Sequence, residues 1–337
     1  MIDLRSDTVT KPTEAMKEFM MQAELGDDVF SEDPTINALE EKVAAMFGKE
    51  AGIYCSSGTM TNQIAIKVHT QPGDEVICHR LSHIYNYEGG GIAFNSGASV
   101  RLIEGNRGNI TAKDVLSNIN PDDVHNPITS LVSVEDTCNK AGGAILDLNN
   151  IREVSKVCRN NSIPFHLDGA RLFNRLVANK TDNKAYGKNF DSMSLCLSKG
   201  LGAPVGSVLV GTKEFIRKAR RVRKVFGGGM RQAGIIAAAG IYALDHHIER
   251  LAEDHAKAQS IGSTLKSHPW VESVNPVDTN IVIFHLKKGQ ETNGFVSKLE
   301  EKGILSFAIG AQAIRFVLHL DISEEDVEKV NKAIQEI

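Results

Sequence analysis

Apolar residues in this chain fall into two alternating patterns. Short runs with the length of buried strands occur at 51–55, 75–78, 99–103, 130–134, 163–168, 192–197 and 205–210. Between several of these runs, apolar residues are spaced three and four apart, which is typical of helices with one buried face. This alternation of strands and helices predicts an α/β fold.

The two ends of the chain depart from this alternation. Residues 1–34 are mostly irregular. A long helix rich in small residues is predicted from about 231 to 250, and the residues after it have the pattern of a compact α+β unit. We therefore predict an N-terminal arm and a large domain over 1–250, followed by a smaller domain over 251–337.

Two polar residues stand at the ends of consecutive predicted strands. Asp168 closes one apolar run, and Lys199 follows the next run among serine and glycine residues. Their separation, 199 − 168 = 31 residues, is about one crossover between neighbouring strands. Such a pair suits pyridoxal phosphate, which bonds to a lysine amine and needs an acid beside its ring nitrogen. The alternatives are a surface lysine and an aspartate that ends a strand or caps a helix.

Three further features are candidates for the same site. The small residues around Gly58 and Thr59 precede a helical pattern, so they either hold a phosphate at the helix start or form an ordinary N-cap. His83 lies just past a predicted strand, where an imidazole stacks on a cofactor ring, moves a proton or serves only the structure. Arg315 interrupts an apolar run, so its guanidinium is either paired internally or binds a substrate carboxylate.

Composition argues against several classes of protein. The net charge is −4 at pH 7, and no apolar run reaches the ~20 residues that span a bilayer, so we predict no binding to nucleic acid or to membranes. The five cysteines show no C-x-x-C spacing, and the N-terminus lacks the features of a signal peptide, which together predict a cytoplasmic protein. A dehydrogenase is not favoured, because no dinucleotide fingerprint follows a strand.

Taken together, these segments resemble the L-threonine aldolases of the low-specificity type, a family of fold-type-I pyridoxal-phosphate enzymes. The resemblance runs nearly from end to end. Its most specific segments are MIDLRSDTVT at 1–10, GDDV at 26–29, HLDGAR at 166–171, LSKGLG at 197–202 and GGGMRQ at 227–232. It implies an aspartate-aminotransferase-like large domain with a seven-stranded, mostly parallel sheet, and a small C-terminal α+β domain.

The resemblance also implies how the cofactor is held. Lys199 would bond to pyridoxal 5'-phosphate, and Asp168 would contact the ring nitrogen. Gly58 and Thr59 would bind the phosphate, and His83 would stack on the ring.

Further residues are implied to surround the substrate or to act between subunits. Arg171 would contact the oxygen side of the cofactor, and Ser6 and Arg315 would bind the substrate carboxylate. Lys224 and Arg231 would reach the active site of a neighbouring subunit. The resemblance therefore implies a homotetramer, built as a dimer of dimers with shared active sites.

Two positions depart from the pattern of the family. The segment 135–138 is Glu-Asp-Thr-Cys where the family often has Glu-Asn-Thr-His, which leaves the hydrogen bonding of Cys138 open. Phe30 stands where the family often has a tyrosine, so a hydroxyl is missing there. Neither change touches Lys199 or Asp168, and we therefore expect cofactor binding to be kept.

The implied activity is a carbon–carbon lyase reaction of amino-acid metabolism. L-Threonine, L-allo-threonine or related β-hydroxy-α-amino acids would be cleaved to glycine and acetaldehyde or the matching aldehyde, a route to glycine. The base that takes the hydroxyl proton would be His83, His125 or a water molecule. The alternatives are another reaction at the α-carbon, such as β-elimination or racemisation, and a non-catalytic cofactor-binding protein; retention of both Lys199 and Asp168 argues against the latter.

Overall fold

The computed structural model describes residues 1–337. The strands are β1 Ile2–Asp3, β2 Ala51–Cys55, β3 Glu75–His79, β4 Ser99–Ile103, β5 Thr129–Glu135, β6 Phe165–Gly169, β7 Ser192–Cys196, β8 Ser207–Gly211, β9 Val271–Val274, β10 Ile281–Leu286, β11 Ile304–Leu305, β12 Phe307–Ala308 and β13 Ala313–Val317. The α-helices are α1 Glu14–Met21, α2 Pro34–Met46, α3 Gly58–His69, α4 His83–Asn86, α5 Ala112–Leu116, α6 Leu148–Asn160, α7 Leu172–Asn179, α8 Asn183–Gly187, α9 Lys213–Val225, α10 Gly234–His246, α11 Leu251–Ser267, α12 Thr292–Glu301 and α13 Glu324–Gln335. Shorter helical turns cover Asp7–Val9, Asp28–Phe30, Ile92–Ser96 and Asn139–Ala141.

The central sheet has seven strands in the order β2-β8-β7-β6-β5-β3-β4. Only β8 runs antiparallel to its neighbours, and all other pairs are parallel. The predicted α/β fold with a mostly parallel seven-stranded sheet is therefore confirmed. Strands β6 and β7 are neighbours, with Asp168 opposite Ser194, so the expected placement of the Asp168 and Lys199 strands side by side is confirmed as well.

The prediction of one long helix from about 231 to 250 is wrong at both ends. Helix α10 begins at Gly234 and ends at His246, and α11 starts separately at Leu251. Asp33 accounts for the start: its Oδ2 accepts a hydrogen bond from the Gly234 N–H at 2.9 Å, and its Oδ1 accepts one from the Ile36 N–H at 3.0 Å. One carboxylate therefore caps both α2 and α10.

The C-terminal residues form a second unit with its own core. Strands β9, β10, β12 and β13 make an antiparallel sheet, and α11, α12 and α13 pack with it around a separate apolar cluster. The start of the chain belongs to this unit in space, because β1 pairs with β11 and Leu4 is buried in the same cluster. The division at residue 250 stays a prediction.

The length and hydropathy of each helix decide whether it could cross a membrane. None of the helices combines the length and the apolar character that a membrane-crossing segment needs. The five cysteines are buried and unpaired. The cytoplasmic location stays a prediction.

Candidate active site

A cavity of about 190 Å³ opens beside the carboxyl ends of β6 and β7. Its lining consists of Ser57, Gly58, Thr59, Asn62, His83, Asp168, Ala170, Cys196, Ser198 and Lys199. The structure thus brings together five residues that the sequence predicted from separate segments: Gly58, Thr59, His83, Asp168 and Lys199. The carboxyl ends of parallel strands are where α/β sheets commonly bind their ligands.

Asp168 supplies a buried carboxylate to this cavity, with only 2% of the residue exposed. Its Oδ1 accepts a hydrogen bond from the Ala170 N–H at 3.1 Å, and its Oδ2 accepts one from Asn62 Nδ2 at 3.0 Å. Glu135 lies opposite Asp168 on the neighbouring strand β5. Burial, and then the nearby Asp168 carboxylate, raise the pKa of Glu135. Of these two acids, only Asp168 lines the cavity.

The start of α3 also lines the cavity. Ser57 is the N-cap, and its Oγ accepts a hydrogen bond from the Met60 N–H at 3.1 Å. Gly58 and Thr59 follow as the first helical residues. A Cβ added to Gly58 would meet only Cys196 atoms at 4.0 Å, so the backbone faces open space. Because the first N–H groups of a helix lack partners within it, this end suits an anion.

Lys199 follows β7 in a tight turn. The Leu197 N–H donates to the Gly206 carbonyl at 3.0 Å, which extends the pairing of β7 with β8. The Gly202 N–H then donates to the Lys199 carbonyl at 2.8 Å, and Gly202 has a φ of +80°, a conformation that favours glycine. This turn places the Lys199 side chain in the lining of the cavity.

His83 is held by two buried acids. Its backbone N–H donates to Glu135 Oε2 at 2.8 Å, and its Nδ1 lies 2.9 Å from Glu88 Oε1. Burial opposes the charged ring, but the hydrogen bond to Glu88 and the negative charges of Asp168, Glu135 and Glu88 together outweigh it, so the pKa of His83 is raised. Since a carboxylate oxygen can only accept, Nδ1 carries a hydrogen and Nε2 is the other nitrogen available to a ligand.

Arg171 does not line the cavity, because it is bound to the N-terminal arm. Its Nε and Nη2 donate to the two carboxylate oxygens of Asp7, both at 2.7 Å, and both side chains are buried. Burial opposes ionisation, but the charge and hydrogen bonds of Arg171, with smaller contributions from Lys199 and Asn280, outweigh it and lower the pKa of Asp7 to about 2. The role of Arg171 toward the cofactor stays a prediction.

Arg315 lies on β13 of the C-terminal unit. Its Nη1 donates to Asn139 Oδ1 and its Nη2 to the Arg5 carbonyl, both at 3.0 Å, while its buried Nε has no partner. Burial, and then the charge of Arg171, lower the pKa of Arg315. Ser6 lies next to Arg5, and its Oγ accepts a hydrogen bond from Thr8 Oγ1 at 2.8 Å. The binding of a substrate carboxylate by Ser6 and Arg315 stays a prediction.

The remaining predicted residues lie outside the cavity. Lys224 is exposed at the end of α9, and Arg231 is exposed and bonded to Asp27 Oδ2 at 3.0 Å. His125 lies in the loop before β5 with its side chain 86% exposed, and its Nδ1 is 2.7 Å from Asp123 Oδ1. The structure therefore does not bring these three residues to the cavity of their own chain.

Three residues whose contacts support the site were not predicted from the sequence, namely Asn62, Glu88 and Asp7. Asn62 donates through Nδ2 to both Asp168 and Glu88, at 3.0 and 2.9 Å. Asp7 holds Arg171, as described above. The sequence marks two of these residues only weakly. Asn62 falls one helical turn after Gly58, and Glu88 follows His83 just before a glycine turn.

Known proteins are similar to this chain along most of its length. A sequence model of the beta-eliminating lyase family matches residues 3–289. The chain is 41% identical to the low-specificity L-threonine aldolase of Candida albicans, over 99% of this chain and 89% of that protein. It is also 41% identical to the low specificity L-threonine aldolase of Escherichia coli K12, over 98% of this chain and 97% of that protein.

Solved structures share the fold at lower identity. The threonine aldolase of Leishmania major matches with a TM-score of 0.87 at 18% identity, over 100% of this chain and 99% of that one. A putative L-allo-threonine aldolase of Listeria monocytogenes matches with a TM-score of 0.83 at 21% identity, over 99% and 96%. These likenesses concern the fold alone.

Proposed function

The chain belongs to the beta-eliminating lyase family and is related over its whole length to low-specificity L-threonine aldolases, and on this premise we propose that it is a carbon–carbon lyase. It cleaves L-threonine and L-allo-threonine to glycine and acetaldehyde, and related β-hydroxy-α-amino acids to the matching aldehyde. The observation that carries the proposal is the meeting of Lys199 and Asp168 at one cavity that the start of α3 also lines.

The residues of the cavity fit pyridoxal phosphate. Lys199 offers the amine, Asp168 a buried carboxylate for the ring nitrogen, and the backbone at Gly58 and Thr59 an open anion site. His83 offers a ring for stacking beside them. When bound, this cofactor withdraws electrons from the α-carbon of an amino acid, which makes the adjacent bonds easier to break.

Arg315 and Ser6 bind the substrate carboxylate. The Arg315 Nε has no partner within the chain, although it is buried, and a buried donor without a partner is costly unless a ligand accepts its hydrogen bond. Holding the carboxylate at this point fixes the position of the α-carbon relative to the lysine and the base.

His83 is the candidate base for the β-hydroxyl proton. It is the only histidine in the lining, and its Nδ1 is occupied by Glu88, so Nε2 is free to accept a proton. Glu88 would then stabilise the positive charge that the ring gains, as an acid does when it orients a catalytic histidine. His125 and a water molecule are the alternatives.

We also propose that the protein acts in the cytoplasm as a homotetramer that forms glycine. Two observations support the assembly. Lys224 and Arg231 are exposed and lie outside the cavity of their own chain, and large apolar residues such as Phe30 and Val225 are 69% and 82% exposed. Light scattering of the purified protein would give the number of subunits.

The reaction is tested with L-threonine and L-allo-threonine in the presence of pyridoxal phosphate. We expect glycine and acetaldehyde in equal amounts, lost in Lys199→Ala and kept in Lys329→Ala, an exposed lysine on α13 that serves as the matched control. The ratio of the two rates gives the diastereomer preference. Release of ammonia and a keto acid, or racemisation of the substrate, would show that the reaction is a different one on the same cofactor.

A further inference from the structure

A row of polar side chains is buried between α3 and the middle of the central sheet. Its members, in spatial order, are His69, Ser192, His166, Asn62 and Asp168. All except His69 are at most 2% exposed. Polar groups in such a place are costly unless they are hydrogen-bonded, and here each member bonds to the next. We call these five residues the buried polar row.

Asn62 is the member that touches the active site. Its Nδ2 lies 2.9 Å from Glu88 Oε1 and 3.0 Å from Asp168 Oδ2. Carboxylate oxygens only accept hydrogen bonds, so the nitrogen end of the amide faces the two acids and both of its hydrogens are used. The Asn62 Oδ1 then faces His166 Nε2 at 3.2 Å. Because an amide oxygen only accepts, His166 carries its hydrogen on Nε2.

The same reasoning extends along the rest of the row. Burial, and then the His69 ring, lower the pKa of His166 to about 3, so this ring is neutral and its Nδ1 is an acceptor. The hydroxyl of Ser192, 2.9 Å away, therefore donates to His166 Nδ1. The Ser192 oxygen is left to accept from His69 Nε2 at 2.9 Å. Burial and the charge of Lys218 lower the pKa of His69 to about 4, so this ring too is neutral.

Every hydrogen bond of the row therefore points the same way, from His69 toward Asn62. This direction leaves the amide of Asn62 one allowed orientation, because turning it over would set its NH₂ group against the Nε2–H of His166 and its oxygen against two carboxylates. The row thus matches the one orientation in which the amide donates to Asp168 and Glu88 at once.

We propose that Asn62 is a positioning residue for the cofactor site, and that His69, Ser192 and His166 fix the orientation of its amide. Through one N–H it holds Asp168 in the lining of the cavity, and through the other it holds Glu88, which in turn binds His83. One side chain thereby aligns Asp168, which is assigned to the ring nitrogen of the cofactor, and His83, which is assigned to the face of that ring. The inference rests on the proposed function, since that function gives Asp168 and His83 their tasks.

The first test compares two substitutions at Asn62 by titrating the protein with pyridoxal phosphate and following its absorbance. Asn62→Asp keeps the shape but replaces the donors by a third carboxylate, whereas Asn62→Ala removes the side chain. If Asn62 acts through its N–H groups, Asn62→Asp binds about 10- to 100-fold more weakly than the unchanged protein and no better than Asn62→Ala. The reverse order, with Asn62→Asp close to the unchanged protein, would show a space-filling role and overturn the proposal.

A matched control is Asn161→Asp, the same change of atom on an exposed residue after α6, which should leave binding unchanged. If the unchanged protein itself binds no pyridoxal phosphate, the proposed function fails, and this result is distinct from a failure at Asn62.

The second test measures which ring nitrogen of His166 carries a hydrogen, and it requires neither cofactor binding by a variant nor an activity assay. In protein labelled with ¹⁵N at histidine, the His166 signals are identified by their loss in His166→Gln. We expect a hydrogen on Nε2 and none on Nδ1, in the protein with and without pyridoxal phosphate. A hydrogen on Nδ1 would reverse the direction of the row and overturn the proposal.

Discussion

Replacing Asp7 by asparagine tests how the N-terminal arm is fastened to the active site. Asp7 is fully buried and binds Arg171 through two hydrogen bonds of 2.7 Å, and Asn280 Nδ2 donates to the same carboxylate at 3.3 Å. Asp7→Asn keeps the shape but leaves the Arg171 guanidinium buried without its counter-charge. Breaking a buried pair in this way costs about 3–5 kcal/mol of the free energy of unfolding, because the remaining charge is uncompensated.

The pH dependence reports the net stabilisation of the Asp7 charge by all of its surroundings, Arg171 foremost. The pKa of Asp7 is lowered from its ordinary value of 3.8 to about 2. A lowered pKa means that the stabilisation is fully present above pH 3.8 and is lost as the pH falls toward 2. At about 1.4 kcal/mol per pKa unit, the loss is about 2–3 kcal/mol. It is smaller than the cost of the substitution, since both oxygens of a protonated Asp7 can still accept hydrogen bonds from Arg171, whereas the NH₂ group of asparagine cannot accept.

Urea unfolding at pH 7 and fixed protein concentration measures the effect. The matched control is Asp3→Asn on the same arm, because Asp3 also binds an arginine, Arg5, but there the arginine side chain is 38% exposed. An exposed pair contributes about 0–1 kcal/mol, so the two substitutions should differ by at least about 2 kcal/mol. Equal losses for Asp7→Asn and Asp3→Asn would refute the reasoning from burial.

Two further predictions concern the base and the turn after Lys199. His83→Phe should lower turnover by ~100-fold or more if the ring is the general base, and steady-state kinetics of His83→Phe and His125→Phe separate the candidates. A comparable loss in His125→Phe would show that its exposed loop reaches the site of a neighbouring subunit, and a small loss in both would favour water. Gly206→Ala should cost about 3 kcal/mol of unfolding free energy, because Gly206 has a φ of +113° and an added Cβ would overlap the Tyr54 ring. The control Gly294→Ala, in open space on α12, should instead gain about 0.5–1 kcal/mol by urea unfolding.

The fold and the two central residues were accessible from the sequence for a clear physical reason. Strand-length apolar runs, several of them followed by a helical pattern, predict a mostly parallel sheet in which the carboxyl ends of the parallel strands lie together. A polar residue at the end of such a run must then lie at that edge, so Asp168 and Lys199 could be placed side by side without knowledge of the strand order. The extent of α10 could not be predicted, because its start depends on Asp33, which is 201 residues away in the chain.

The supporting residues were not accessible, because their roles depend on one another. Asn62 and Asp168 are 106 residues apart, and an asparagine in a helix after a small-residue turn has no pattern that marks it as a partner of a distant acid. Glu88 and Asp7 are likewise ordinary acids in the sequence. Only the packing of α3 and the arm against the sheet shows which charges and amides they meet.

The N-terminal arm also explains why the substrate side of the site depends on both units of the molecule. Strand β1 pairs with β11 of the C-terminal unit, while Asp7 binds Arg171 of the large unit and accepts from Asn280 of the smaller one. Arg315, in turn, donates to the carbonyl of Arg5. The position of Arg315 relative to Lys199 is therefore set through residues 3–7. Loosening Asp7 should displace the carboxylate-binding side more than the Asp168 side, so in Asp7→Asn we expect KM for L-threonine to rise by a larger factor than the Kd for pyridoxal phosphate.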